Sequence, residues 1–135
     1  QMGCILGLSA IFILIALSSA KMQTVSVIGI MWCGFSHYEN AVIQLLEHDT
    51  FDPNDVLAEI KMHNKSLFDI TGSEDEIGSI SPMIQFTHDC EVPEHKKGCK
   101  REVTFDIPKE YINGDVYDML TVSLHIHHTG EKYLC

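Results

Sequence analysis

From Thr24 onward the chain alternates apolar and polar side chains in short runs, each closed by turn residues. A period of two over runs of this length predicts half-buried strands. Thr24 to Trp32 is the first run, rich in Val and Ile, with Gly34 breaking it. Ala41 to His48 places Ala41, Ile43 and Leu45 on one face. Leu57 to His63 and Leu67 to Thr71 read as a hairpin about Asn64-Lys65, with Phe68 and Ile70 inward. Met83 to Cys90 puts Ile84, Phe86, His88 and Cys90 together. Glu102 to Ile107 aligns Val103, Phe105 and Ile107 before Pro108 ends the strand. Met119 to Ile126 aligns Leu120, Val122, Leu124 and Ile126. Between these lie two acidic loops, Asp49 to Asp55 and Gly72 to Ser81, and a polar loop from Glu91 to Lys100. Helical periodicity is missing, although one turn fits near Lys109 to Ile112. The expectation is an all-β fold, a two-sheet sandwich of seven to eight strands with immunoglobulin-like packing.

Strand direction adds an inference. If consecutive strands alternate, the first, third, fifth and seventh finish at one end, which gathers Cys33, Cys90, Cys99 and Cys135 there. The acidic loops then gather at the other end. Four cysteines in a small domain read as two disulfides with three possible connectivities. A zinc site would favour a C-x-x-C pair, and none is present. Cys33 and Cys90 end strands expected in opposite sheets, so Cys33–Cys90 with Cys99–Cys135 is the expected pairing. Cys90–Cys99, leaving Cys33 to Cys135, is its competitor.

The N-terminal segment changes the cellular picture. Residues 1–20 carry no charge, and Ser18-Ser19-Ala20 supplies small residues ahead of Lys21. This reads as a secretory signal cleaved after Ala20, leaving a domain at 21–135 with no transmembrane segment; the alternative is an uncleaved anchor. A secreted location fits the cysteine count. The domain then holds all 9 basic and 19 acidic side chains and the net charge of −10. That balance excludes nucleic acid as a partner and simple electrostatic docking on anionic lipid. Asn64-Lys65-Ser66 makes Asn64 a candidate glycan acceptor.

Three groupings invite a chemical reading. His88, Asp89 and Cys90 resemble a thiol constellation, but a cysteine in a disulfide offers no thiolate, so a buried His packed on the disulfide is expected. His125, His127 and His128 place two imidazoles on one outward strand face, enough for weak metal binding only. Asp49, Asp52 and Asp55 (with Asn54), together with Glu74, Asp75 and Glu76, supply oxygen ligands for calcium if both loops meet. A solvated acidic rim is the alternative.

The segments Val27 to Gly34 with Cys33-Gly34, Glu47-His48-Asp49-Thr50-Phe51-Asp52-Pro53, and Phe68-Asp69-Ile70-Thr71-Gly72-Ser73 are distinctive. So are Ile80-Ser81-Pro82, His88-Asp89-Cys90, Phe105-Asp106-Ile107-Pro108 and Tyr111-Ile112. Together they resemble the nematode transthyretin-like family over nearly the whole mature chain. The most specific element is His-Asp-Cys with the upstream Cys-Gly. The resemblance implies a secreted prealbumin-like sandwich with no shared catalytic activity and no cofactor. Hydroxyisourate hydrolases of related fold end in Tyr-Arg-Gly-Ser, whereas this chain ends Tyr133-Leu134-Cys135 and has Arg101 as its one arginine. The expected function is an extracellular interaction module whose partner is an extracellular or cell-surface protein or a lipid. The alternatives are a hydrolase of that type or a carrier of a small apolar ligand. An interior filled by Ile43, Leu45, Phe86, Val103, Phe105 and Val122 leaves such a carrier little room.

Overall fold

The structure, a computed structural model, describes residues 20–135. The segment expected to be a secretory signal therefore lies outside the described residues, apart from Ala20. Among the described residues the chain forms nine strands and two single 3₁₀ turns. The strands are β1 (Lys21–Cys33), β2 (Ser36–His37), β3 (Val42–Glu47), β4 (Asp55–Lys61), β5 (Leu67–Glu76), β6 (Pro82–His88), β7 (Lys100–Asp106), β8 (Tyr117–Ser123) and β9 (Lys132–Leu134). The 3₁₀ turns are Glu94–Lys96 and Lys109–Tyr111, the second falling where one helical turn was expected.

Two sheets result. One has four strands: β1 pairs antiparallel with β5 and with the short β2, and parallel with β8. The other has five, in the order β4-β3-β6-β7-β9. Alternation along β1 explains the layering. Gln23, Val25, Val27, Gly29 and Met31 face inward, while Thr24, Ser26, Ile28, Ile30 and Trp32 face out. Ile43, Leu45, Ile84, Phe86, Val103, Phe68, Ile70, Val122 and Leu124 close the core from both sheets. Phe68 meets Phe86 edge-on at 5.4 Å between ring centroids, spanning the two layers. Phe105 is only partly buried and packs against this cluster from its edge.

Four expectations change. Asn64 does not turn a hairpin. β4 pairs with β3 and β5 with β1, so residues 62–66 cross between the sheets. Asn64 remains exposed, with φ of 56°. The second acidic loop is shorter than its composition predicts, because β5 continues to Glu76. Glu74, Asp75 and Glu76 lie in the ladder opposite Gln23, Met22 and Lys21. Acidic side chains do not prevent pairing when β1 supplies a long partner edge. The last long strand breaks alternation at a bulge between Ile28 and Ile30, where Leu120 adopts φ of 59°. Leu120 is consequently exposed, as is Ile126 beyond the end of β8, while Val122 and Leu124 stay inward. Finally, β8 ends at Ser123, so His125, His127 and His128 lie in the following turn and share no strand face.

Both disulfides sit at one end of the sandwich. Cys33–Cys90 joins the end of β1 to the residues just after β6, and so ties the four-stranded sheet to the five-stranded one. Cys99–Cys135 fastens the chain terminus beside the start of β7.

Candidate functional site

Two regions carry polar or exposed side chains that packing alone does not demand. One is the cysteine end. Arg101 begins the inward face of β7 and is wholly buried, at 0% exposure. Its Nε donates to Glu131 Oε1 at 2.5 Å, Nη1 to the Cys90 carbonyl at 2.5 Å, and Nη2 to the Ile126 carbonyl at 3.1 Å. Glu131 also accepts the His128 N–H. Burial works to raise the Glu131 carboxyl, but the Arg101 hydrogen bond and charge hold it below its ordinary value. A buried charge pair satisfied this fully is a clamp for the 90–101 and 126–131 segments. It leaves the guanidinium no reach toward solvent.

His88 lies beside this clamp. Its Nδ1 accepts the Cys90 N–H at 3.0 Å, which leaves the proton on Nε2. Nε2 is buried without a partner. Burial, then the Arg101 charge, push the imidazole down from its ordinary 6.5 to about 4. His88 is therefore neutral, and Cys90 is bonded to Cys33 with no thiolate. Asp89 is exposed where His88 is buried. Its Oδ1 accepts the Tyr38 hydroxyl at 2.5 Å, and this bond comes first in holding the carboxyl below its usual range. The three adjacent residues thus do three structural jobs and share no reaction geometry.

Of the remaining candidates the histidines disperse, while the carboxylates gather only in part. His125 Nδ1 accepts the Gly34 N–H, and a ring nitrogen of His128 lies 3.1 Å from the Ser123 carbonyl. Asp49 Oδ1 accepts the N–H groups of Phe51 and Asp52, while Asn54 Oδ1 accepts the Asp49 N–H, so these two side chains each spend an oxygen on the loop's own backbone. Asp55 and Glu74 to Glu76 lie on strands of different sheets whose ends meet, and burial, followed by the Asp55 charge, raises the Glu74 carboxyl above its ordinary value. Among the described residues no three or more His, Cys, Asp or Glu side chains are grouped so as to hold a metal. The calcium arrangement of Asp49, Asp52, Asp55, Glu74, Asp75 and Glu76 is therefore not assembled.

The second region is the outer face of the four-stranded sheet. Pairing places Asp69 and Asp118 opposite Ile28 on either side, giving a row Asp69–Ile28–Asp118 across β5, β1 and β8. The next row holds Leu67, Ile30 and Thr121. The bulge sets Leu120 between them. A trough of about 550 Å³ runs through these residues. Leu67 and Leu120 are each 69% exposed. Asp118 Oδ1 accepts the Leu120 N–H at 2.9 Å, which props the left-handed residue in place. Sequence reasoning found neither the Arg101–Glu131 clamp nor this face. Arg101 shares the inward register of Val103, which was a readable signal. The Leu120 bulge has no Gly, Asn or Pro to mark it.

The frame, two sheets tied at one end by the Cys33–Cys90 disulfide, defines a small β-sandwich domain that presents an open sheet face. A family model described as "TTR-52: Transthyretin-like family" matches residues 28–108. Transthyretin-like protein 16 of Caenorhabditis elegans is 37% identical over 117 residues, covering 87% of this chain and 86% of that protein. Transthyretin-like protein 33 of the same organism is 31% identical, covering 100% of this chain and 96% of that protein. The chain belongs to the nematode transthyretin-like family. Among solved structures, part of a 9R-lipoxygenase from Cyanothece PCC8801 aligns at TM-score 0.48 and 12% identity, over 76% of this chain and 16% of that one, a likeness that carries no argument.

Proposed function

We propose that this protein is a secreted, non-catalytic binding module that engages an extracellular or cell-surface partner through the outer face of its four-stranded sheet. The observation that carries this is the exposure of Leu67 and Leu120 beside Ile28 and Ile30 on a rigid, disulfide-tied sheet. Apolar side chains gathered on one open face are the ordinary mark of an interaction surface. The interior offers no second choice, because the core residues of the two sheets pack directly on one another.

The hydrolase alternative loses its one arginine to the Glu131 clamp, where it touches protein groups only. Purified protein is expected not to accelerate hydroxyisourate turnover, and acceleration above the buffer rate would restore that alternative. For the binding reading, labelled protein is expected to bind nematode extracellular surfaces saturably. Leu67→Asp should abolish this binding and Thr104→Asp, on the five-stranded face, should not. Equal binding by both variants would move the site elsewhere. Asn64 is proposed as glycosylated, standing exposed between the sheets' crossover residues. N-glycosidase treatment of protein from eukaryotic cells should lower its mass, and an unchanged mass would remove the glycan.

A further inference from the structure

We infer that the trough on the four-stranded sheet takes a small cationic amphiphile, a molecule with an apolar body and a positively charged head. This rests on the outer-face reading above and names the chemistry of its ligand. The volume of about 550 Å³ is that of a small-molecule site. A protein partner of ordinary affinity needs roughly 800 Å² per side, far more than these few side chains present. The floor and walls are apolar: Ile28, Ile30, Leu67 and Leu120. The charges at the trough are both carboxylates, Asp69 and Asp118. They stand in one row on either side of Ile28, two strand spacings or about 10 Å apart. An apolar chain running along β1 over Ile30, with Leu67 and Leu120 at its flanks, therefore brings its head group over Ile28, between the two acids. A chain with net charge of −10 adds a field that attracts cations and repels anionic amphiphiles.

The backbone supports the same assignment independently. Leu120 combines a left-handed conformation with 69% exposure. Both features disfavour leucine in a domain built for stability alone. A bulge that turns an apolar side chain out of a sheet is a device for aiming it. Here it aims Leu120 into the wall of the trough. The carboxylate of Asp118 fixes that bulge through the Leu120 N–H while flanking the trough itself.

Titration calorimetry of the secreted protein with decyltrimethylammonium, decyl maltoside and decyl sulfate, each below its micellar concentration, tests the assignment. The expected result is one decyltrimethylammonium per chain, bound more tightly than the maltoside and at least about ten-fold more tightly than the sulfate. Added salt should narrow the preference. Asp69→Asn should weaken the cationic compound toward the affinity of the neutral one, with Asp118 keeping part of the preference, and leave the neutral one unchanged. Leu120→Gly, which suits a left-handed position, should keep the melting temperature and weaken both. Equal affinity for the three compounds, or an Asp69→Asn variant that keeps the preference undiminished, overturns the cationic assignment. So does failure of every compound to bind. Sedimentation showing a dimer that Leu120→Gly dissociates also overturns it, by placing a second copy on this face. None of these outcomes decides the surface-binding assay with Leu67→Asp, so the two readings fail separately.

Discussion

His88 shows how much of this protein's polar chemistry is spent on holding the fold. In the unfolded chain its imidazole takes a proton below about pH 6.5, whereas the folded protein refuses it until about 4. The unfolded state thus binds more protons in that window, and stability must fall as pH drops through it. From 6.5 down to about 4, at ~1.4 kcal/mol per pH interval, the loss is about 3 kcal/mol. The contribution is fully present above pH 6.5 and gone near 4. Urea unfolding between pH 7.5 and 4 should therefore show a steeper decline in wild type than in His88→Gln. Parallel profiles would show that His88 does not titrate this way. Glu131 makes the companion case. Glu131→Ala strands a guanidinium at 0% exposure and should cost about 3–5 kcal/mol of stability. A loss under about 1 kcal/mol would mean that the Arg101 carbonyl contacts alone suffice.

At the level of the strands, the inward registers were readable because side-chain alternation states them directly. Ile84, Phe86, His88 and Cys90 share the inner face of β6 and its extension, as their spacing predicts. Pairing between strands was less readable. Nothing local distinguishes a hairpin at Asn64 from a crossover, since that choice depends on which distant edge β5 finds. The acidic end of β5 was hidden for a related reason, as its pairing comes from β1 rather than from its own composition. Two glycine-type positions test the strand account from opposite sides. A Cβ on Gly29 would fall 2.7 Å from the Phe68 ring, which is itself buried. Gly29→Ala should lower the urea midpoint, with a loss of about 1–3 kcal/mol. Leu120→Gly should leave it nearly unchanged. Relief of the left-handed strain, about 1 kcal/mol, offsets the added backbone entropy of glycine. A large loss at Leu120 or none at Gly29 would contradict the packing described here.

For the whole molecule, the cysteine spacing and strand directions made the stapled end legible, while the working face was not. The disulfides close loops of 57 and 36 residues. Chain entropy alone values the two almost equally, at about 4 kcal/mol each. Position separates them: Cys33–Cys90 ties one sheet to the other, and Cys90 is buried. Cys99–Cys135 holds only the terminal β9 against β7. Cys33→Ala with Cys90→Ala should therefore lower the melting temperature well beyond Cys99→Ala with Cys135→Ala. Equal losses would mean that loop closure outweighs the link between sheets. The working face escaped the sequence because it arises from three strands distant in the chain. Ile28, Asp69 and Asp118 meet only after β1 has paired on both edges. Hydrogen exchange of the protein, free and bound to a nematode extracellular surface, tests that face most directly. Binding should slow exchange at residues 28–30, 67–69 and 118–121 and leave β4, β3, β6 and β7 unchanged. Slowing confined to the five-stranded sheet would contradict the account.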